Sequence, residues 1–143
     1  MNEKYFVSYE TARKLKTLGF DYPCIFYYTD ENAPKGCVWQ SCGRVPVNFN
    51  KNINECRIKC SAPTLWQAQY WLYVKHNIQI QLKVVGRNQW NYTLIEMSPK
   101  TDMSGEIYRR IPKRDNYPVI ANFEDSISAA IDDALELITN RVK

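Results

Sequence analysis

The residues of this chain best suited to metal binding or nucleophilic chemistry are its five cysteines. Four of them form two pairs, Cys37 with Cys42 and Cys56 with Cys60, with four and three residues between the members. Four thiolates can hold a tetrahedral zinc ion, but zinc-binding pairs usually have two residues between them. An odd number of cysteines without a secretory signal indicates reduced thiols, which fill small apolar positions. We therefore predict no metal and no cofactor, with zinc at these four cysteines as the alternative.

The remaining chemistry-bearing residues do not form a recognisable catalytic pattern. His76 is the only histidine, and it falls in the last turn of a predicted helix, where an imidazole interacts with terminal carbonyl groups. Asp125, Asp132 and Glu136 fall on the polar side of another predicted helix, and no glycine-rich phosphate-binding motif occurs. We therefore predict no catalytic residues and a protein that is not an enzyme. An enzyme that uses His76 or a cysteine nucleophile is the alternative.

Aromatic side chains are abundant, and three of them define a candidate binding surface. Trp66, Tyr70 and Tyr73 are spaced four and three residues apart in a predicted helix, so they share one side of it. A separate apolar arc on the same helix consists of Leu65, Ala68, Trp71 and Leu72. A helix that lies on one sheet needs only one apolar stripe, so the second arc packs against another part of the chain or against a partner. Because interface cores are enriched in tyrosine and tryptophan, we predict a protein-interaction site at Trp66, Tyr70 and Tyr73.

One basic cluster gives a second candidate surface, consisting of Arg109, Arg110, Lys113 and Arg114. Together with Trp90, Tyr92 and Tyr108 on neighbouring predicted strands, it would form a basic groove with stacking platforms for single-stranded nucleic acid. The net charge of +4 and the pI of about 8.8 are lower than is usual for dedicated nucleic-acid-binding proteins. Nucleic-acid binding is therefore the alternative function.

Local patterns predict three helices and several strands. A helix begins after the N-cap Ser8 and ends at Gly19, and the run Cys24–Thr29 is typical of a strand. Thr64 and Gln67 have the spacing of a capping box at the start of the second helix, which ends near Asn77. Further elements are predicted as an antiparallel hairpin over 78–84 and 90–94, a third strand over 106–111 and a helix over 122–139.

These elements define the predicted fold class and domain organisation. The class is α+β, with one mainly antiparallel sheet, about three helices and a C-terminal half in the order helix, three strands, helix. The length of 143 residues fits a single domain, 1–143, with a possible N-terminal subdomain 1–60 and a C-terminal unit 61–143. No apolar run is long enough to cross a bilayer and the N-terminus does not have the pattern of a secretory signal, so we expect a cytoplasmic protein.

Three segments resemble small uncharacterised proteins of gut Bacteroidales phages and prophages. The resemblance covers about half of the chain, and it is carried by Val7–Phe20 with Pro23-Cys24, Ala62–Gln69 with Trp71-Leu72 and His76–Ile78, and Phe123-Glu124 with Ala129-Ala130 and Ala134–Ile138. The C-terminal half is also similar to the phage ABA-sandwich arrangement. The resemblance implies a phage or mobile-element origin and a location in the bacterial host cell, and it brings no catalytic residues with it.

The sequence thus favours an accessory protein that binds another protein or itself. Its alternatives are a nucleic-acid-binding protein and an inhibitor of a host defence or a host enzyme. A protein partner or a homo-oligomer is expected, nucleic acid is possible, and no membrane or small-molecule substrate is indicated.

Overall fold

The computed structural model describes residues 3–29, 39–40, 45–51, 58–97, 108–110 and 122–142. In chain order the helices and strands are α1 (Tyr9–Thr17), β1 (Phe26–Thr29), β2 (Trp39–Gln40), β3 (Ile58–Ser61), α2 (Leu65–His76), β4 (Ile78–Gly86), β5 (Gln89–Met97), β6 (Tyr108–Arg110) and α3 (Phe123–Val142). All strand pairs are antiparallel, which confirms the α+β class and the helix, three strands, helix order of the C-terminal half. Within the described ranges the strands form two three-stranded sheets, where the sequence predicted one.

The chain divides into two compact units, Met1–Ala68 and Gln69–Lys143, and the division falls within helix α2. The sequence prediction placed the only possible internal boundary earlier, before Ser61, in a stretch with few local signals. Ser61 closes strand β3, which pairs with β1, so this position belongs to the first unit.

Unit 1 consists of helix α1, the sheet in the order β2-β1-β3 and the beginning of α2. The Ser8 hydroxyl accepts a hydrogen bond from the amide of Thr11 (3.2 Å), as its N-cap position predicts. Gly19 follows the helix with φ of +94°, a conformation in which a Cβ is unfavourable. The Tyr28 hydroxyl donates to the carbonyl oxygen of Val7 (2.5 Å), which ties the central strand β1 to the N-terminal segment.

Unit 2 contains the sheet in the order β4-β5-β6 and helix α3, which contacts both β4 and β5. The hairpin turns at Arg87-Asn88, and Asn88 has a positive φ of 56°. The apolar stripe of α3 is buried, and it consists of Ile127, Ala130, Ile131, Ala134, Leu135 and Ile138. These residues recur every three to four positions, which is the helical spacing that the sequence showed.

Helix α2 has both of the terminal signals that the sequence predicted. The Thr64 hydroxyl accepts from the amide of Gln67 (3.1 Å), and the Gln67 side chain accepts from the amide of Thr64 (2.9 Å). This is a complete capping box. Asn77 follows the helix with φ of 57°, and β4 begins directly after it.

Candidate protein-binding face on helix α2

Helix α2 is apolar on two of its sides. Its buried side consists of Leu65, Ala68, Trp71 and Leu72, each with 6% or less of its surface exposed. These positions recur at intervals of three and four residues, so they form one stripe along the helix. They are the residues that the sequence assigned to the core-facing arc.

The opposite side of α2 exposes the three aromatic residues that the sequence singled out. Trp66 is 70% exposed, Tyr70 49% and Tyr73 47%. At 3.6 residues per turn they span an arc of about 60°. We call Trp66, Tyr70 and Tyr73 the aromatic face. Val74 lies beside it and is 46% exposed, so the apolar surface is wider than the three aromatic residues.

The charge on helix α2 itself is sparse and positive. The helix contains no acidic residue, and the basic residues of its last turn are Lys75 and His76. Lys75 is exposed. The imidazole of His76 packs edge-on against the indole of Trp71, with ring centroids 4.7 Å apart. Burial, and to a smaller extent the positive charge of Arg141, lower the pKa of His76 below its ordinary value, which favours the neutral imidazole.

The surroundings of His76 differ from those predicted for it. The sequence placed its imidazole against the carbonyl groups that end the helix, but the contact that the structure gives is with Trp71. Arg141 forms a bidentate pair with Glu96, with N–O distances of 2.9 and 3.0 Å. This pair holds a guanidinium close enough to His76 to affect its pKa.

Two of the five cysteines are described by the structure, and both are buried free thiols. Burial raises the pKa of Cys24 to about 12 and that of Cys60 to about 11. The Cys24 thiol lies within hydrogen-bond distance of the carbonyl oxygen of Tyr22 (3.5 Å) and the side-chain oxygen of Gln67 (3.8 Å). Because the thiolate is the nucleophile and the metal ligand, these two protonated thiols have the chemistry of small apolar residues.

The zinc alternative rests mainly on residues outside the described part of the chain. Three of its four cysteines are outside the described residues, namely Cys37, Cys42 and Cys56. Within the described ranges, no group of three or more histidine, cysteine, aspartate or glutamate side chains is placed to hold a metal ion.

The basic cluster of the nucleic-acid alternative is only partly described. Arg109 and Arg110 lie in β6, opposite Glu96 and Ile95 of β5. Lys113 and Arg114 lie outside the described residues.

The prediction that Tyr92 offers a stacking surface for bases is wrong. Tyr92 is 3% exposed, and its hydroxyl donates a hydrogen bond to the carboxylate of Asp133 on α3. Its ring therefore belongs to the core between sheet and helix. Trp90 lies on the same side of β5 and packs edge-on against Phe123, with ring centroids 5.4 Å apart. Tyr92 is therefore too buried to stack on bases, and Trp90, a second of the three aromatic residues proposed for this role, is half-buried.

A further exposed apolar group lies at the turn end of the β4–β5 hairpin and was not predicted. Val84 is 62% exposed and Phe123 46%, although both belong to stripes that the sequence assigned to buried faces. Val84 pairs with Trp90 across the hairpin, and Trp90 contacts Phe123. The positions of these two residues could have indicated their exposure, because Val84 is close to the turn and Phe123 is the first residue of its helix.

Comparisons with protein-family models, with curated proteins and with solved structures give no match to this chain. In the described ranges, none of the helices has both the length and the apolar character needed to span a bilayer.

Proposed function

We propose that this chain is a non-enzymatic binding module, an accessory protein of a phage or mobile element, that uses the aromatic face of α2 to contact another protein. The observation that supports the proposal is the exposure of Trp66, Tyr70 and Tyr73 on one side of a helix whose other side is buried. A helix that is apolar on both sides is normally covered on both sides. Binding of a partner supplies the second cover.

The composition of the aromatic face fits an interface core. Tyrosine and tryptophan contribute large contact areas, and they are the residues most enriched among those that dominate binding energies. With Lys75 as the exposed charge in the last turn of α2, we expect a partner surface with an apolar recess and a neutral or acidic rim.

The test is capture of partners from lysates of the bacterial host, with and without nuclease, comparing the wild-type chain with the triple variant Trp66→Ala, Tyr70→Ala, Tyr73→Ala. Phe123→Ala is the matched control, because Phe123 is an aromatic residue of similar exposure on another helix. The proposal predicts a stoichiometric protein that the wild type and the control retain and the triple variant loses.

Two results would contradict the proposal. One is a protein retained equally by the triple variant and the wild type, since the aromatic face would then not be the contact. The other is a set of captured proteins that disappears when nuclease is added, which would favour the alternative function of the basic cluster of Arg109, Arg110, Lys113 and Arg114. Binding of that kind weakens steeply as salt is raised.

A further inference from the structure

Strand β4 is the edge of the second sheet. In the order β4-β5-β6 it pairs with β5 on one side, and no other strand of the described residues pairs with it on its outer side. It is nine residues long, contains no proline, and its one glycine is the last residue. A strand with these properties presents a row of backbone donors and acceptors to a further strand.

The usual devices that protect such an edge are weak in β4. The pairing with β5 shifts between Val84 and Gly86, so a bulge disturbs only the turn end of the strand. The regular part, Ile78–Val84, carries a single charge, which is Lys83. One lysine opposes edge pairing most strongly in registers that bring it against another positive charge.

The two faces of β4 have different chemistry. One side of the strand is apolar. On it Ile78 is buried, Ile80 and Leu82 are half-buried, and Val84 is 62% exposed. On the other side Gln81 and Lys83 are exposed. A strand added to this edge therefore needs apolar residues on one face and uncharged or acidic residues on the other.

We infer that β4 pairs with β4 of a second copy of this chain, antiparallel and centred on Leu82. In this register Leu82 faces its own equivalent once, whereas the contacts of Val84 with Ile80 and of Lys83 with Gln81 each occur twice by symmetry. The exposed Val84 is then covered by a half-buried side chain of matching character, and Lys83 meets a side chain with an amide oxygen that accepts its hydrogen bond. The five residues from Ile80 to Val84 pair without crossing the bulge.

The neighbouring symmetric registers are less favourable. A pairing centred on Lys83 would place the two Lys83 ammonium groups directly opposite each other, which is repulsive. A pairing centred on Gln81 would place Val84 against Ile78, which is already fully buried and offers no exposed apolar surface. Registers centred between residues would place apolar side chains beside polar ones.

The inference does not depend on the aromatic face, because β4 and α2 are separate elements. Its test is the dimer dissociation constant of the full chain, measured by sedimentation equilibrium, for the wild type, Gln81→Glu and Gln81→Lys. Position 81 is exposed, so both substitutions are compatible with the monomer fold. Circular dichroism of each variant verifies that it is folded.

The two substitutions have opposite expected effects. Glutamate at position 81 faces Lys83 of the second copy and lowers the dissociation constant by about three- to tenfold, as two cross-strand ion pairs would do. Lysine at position 81 faces Lys83 and raises it by a similar factor. Both effects decrease at high salt, because the charges are exposed.

Three results would overturn the inference. The first is a wild-type chain that remains monomeric at every concentration. The second is a dimer whose dissociation constant responds equally to Gln81→Glu and Gln81→Lys. The third is a dimer that is insensitive to charge at position 81 and is lost on Trp66→Ala, which would assign self-association to the aromatic face.

Discussion

Trp66 and Trp71 are five residues apart on one helix and have opposite environments. Trp71 is 2% exposed and its indole packs against the imidazole of His76, whereas Trp66 is 70% exposed. The difference follows from their angular positions on α2, because five residues correspond to about 140° of rotation. Within helix α2, Trp71 is therefore part of the core, whereas Trp66 lies at the surface.

We predict that Trp71→Ala destabilises the fold by about 3–5 kcal/mol, since it removes a large buried side chain and leaves a cavity. Trp66→Ala is expected to change the free energy of unfolding by no more than about 0.5 kcal/mol, as is usual for exposed positions. Urea denaturation of the two variants measures both values. A large loss of stability in Trp66→Ala would show that the aromatic face belongs to the core and would remove the proposed binding site.

His76 gives a second prediction at the level of single residues, because it is the only histidine in the chain and its titration is unambiguous. Burial is the main cause of its lowered pKa and Arg141 the second. Arg141→Ala is therefore expected to raise the pKa of His76 part of the way towards its ordinary value, as followed by proton NMR. An unchanged or lower pKa in the variant would contradict the assigned role of the guanidinium.

The sign of the accompanying pH dependence follows from the direction of this shift. The fold favours the neutral imidazole, so its stabilising contribution is complete above the ordinary histidine pKa of about 6.5. That contribution is lost as the pH falls towards and through the lowered pKa of the folded state. Arg141→Ala reduces the pH-dependent part, and it also removes the exposed pair with Glu96, which contributes about 0.2–1 kcal/mol.

At the scale of elements, the ends of the helices were the most predictable features. Ser8, the Thr64–Gln67 capping box and Asn77 were assigned from residue type and spacing, and all four have the expected geometry. Such signals are local, because they depend on hydrogen bonds between residues three or four positions apart. The β4–β5 hairpin was predictable for the same reason.

We predict that Thr64→Ala lowers the free energy of unfolding by about 1 kcal/mol, because the amide of Gln67 loses its hydrogen-bond acceptor. Thr17→Ala is the matched control. Its hydroxyl donates to the carbonyl oxygen of Arg13 at an exposed position and does not cap a helix N-terminus. Equal effects of the two substitutions in thermal or urea unfolding would contradict the capping role.

At the scale of the whole molecule, the sequence predicted the fold class but not the number of sheets. Which strands share a sheet depends on pairing between distant residues, such as Tyr27 with Trp39 and with Ser61. Alternation within a strand gives no information on its neighbours. The same limit explains Tyr92. Its alternation with Trp90 and Leu94 predicted a strand of the hairpin, but its hydrogen-bond partner Asp133 is on a helix 41 positions away.

The sequence predicted which residues form the candidate site, but it did not predict that their side chains are exposed. Helical spacing placed Trp66, Tyr70 and Tyr73 on one arc, but the spacing was equally compatible with packing inside the chain. The structure shows that their side chains are 47–70% exposed. Val84 was missed as a surface residue, since a valine in an apolar stripe is normally assigned to the core. Val74 was assigned to neither arc of α2, and it is 46% exposed.

The central claim is that the aromatic face is in direct contact with a protein in the host cell. The most direct measurement replaces Trp66 with a photo-crosslinking phenylalanine derivative, irradiates living bacteria and examines the adducts by mass spectrometry. Phe123 is the control position, because it is an exposed aromatic residue on another helix, α3. We predict a discrete protein adduct from position 66 that is absent from position 123. No adduct from position 66, or the same adduct from both positions, would contradict the claim.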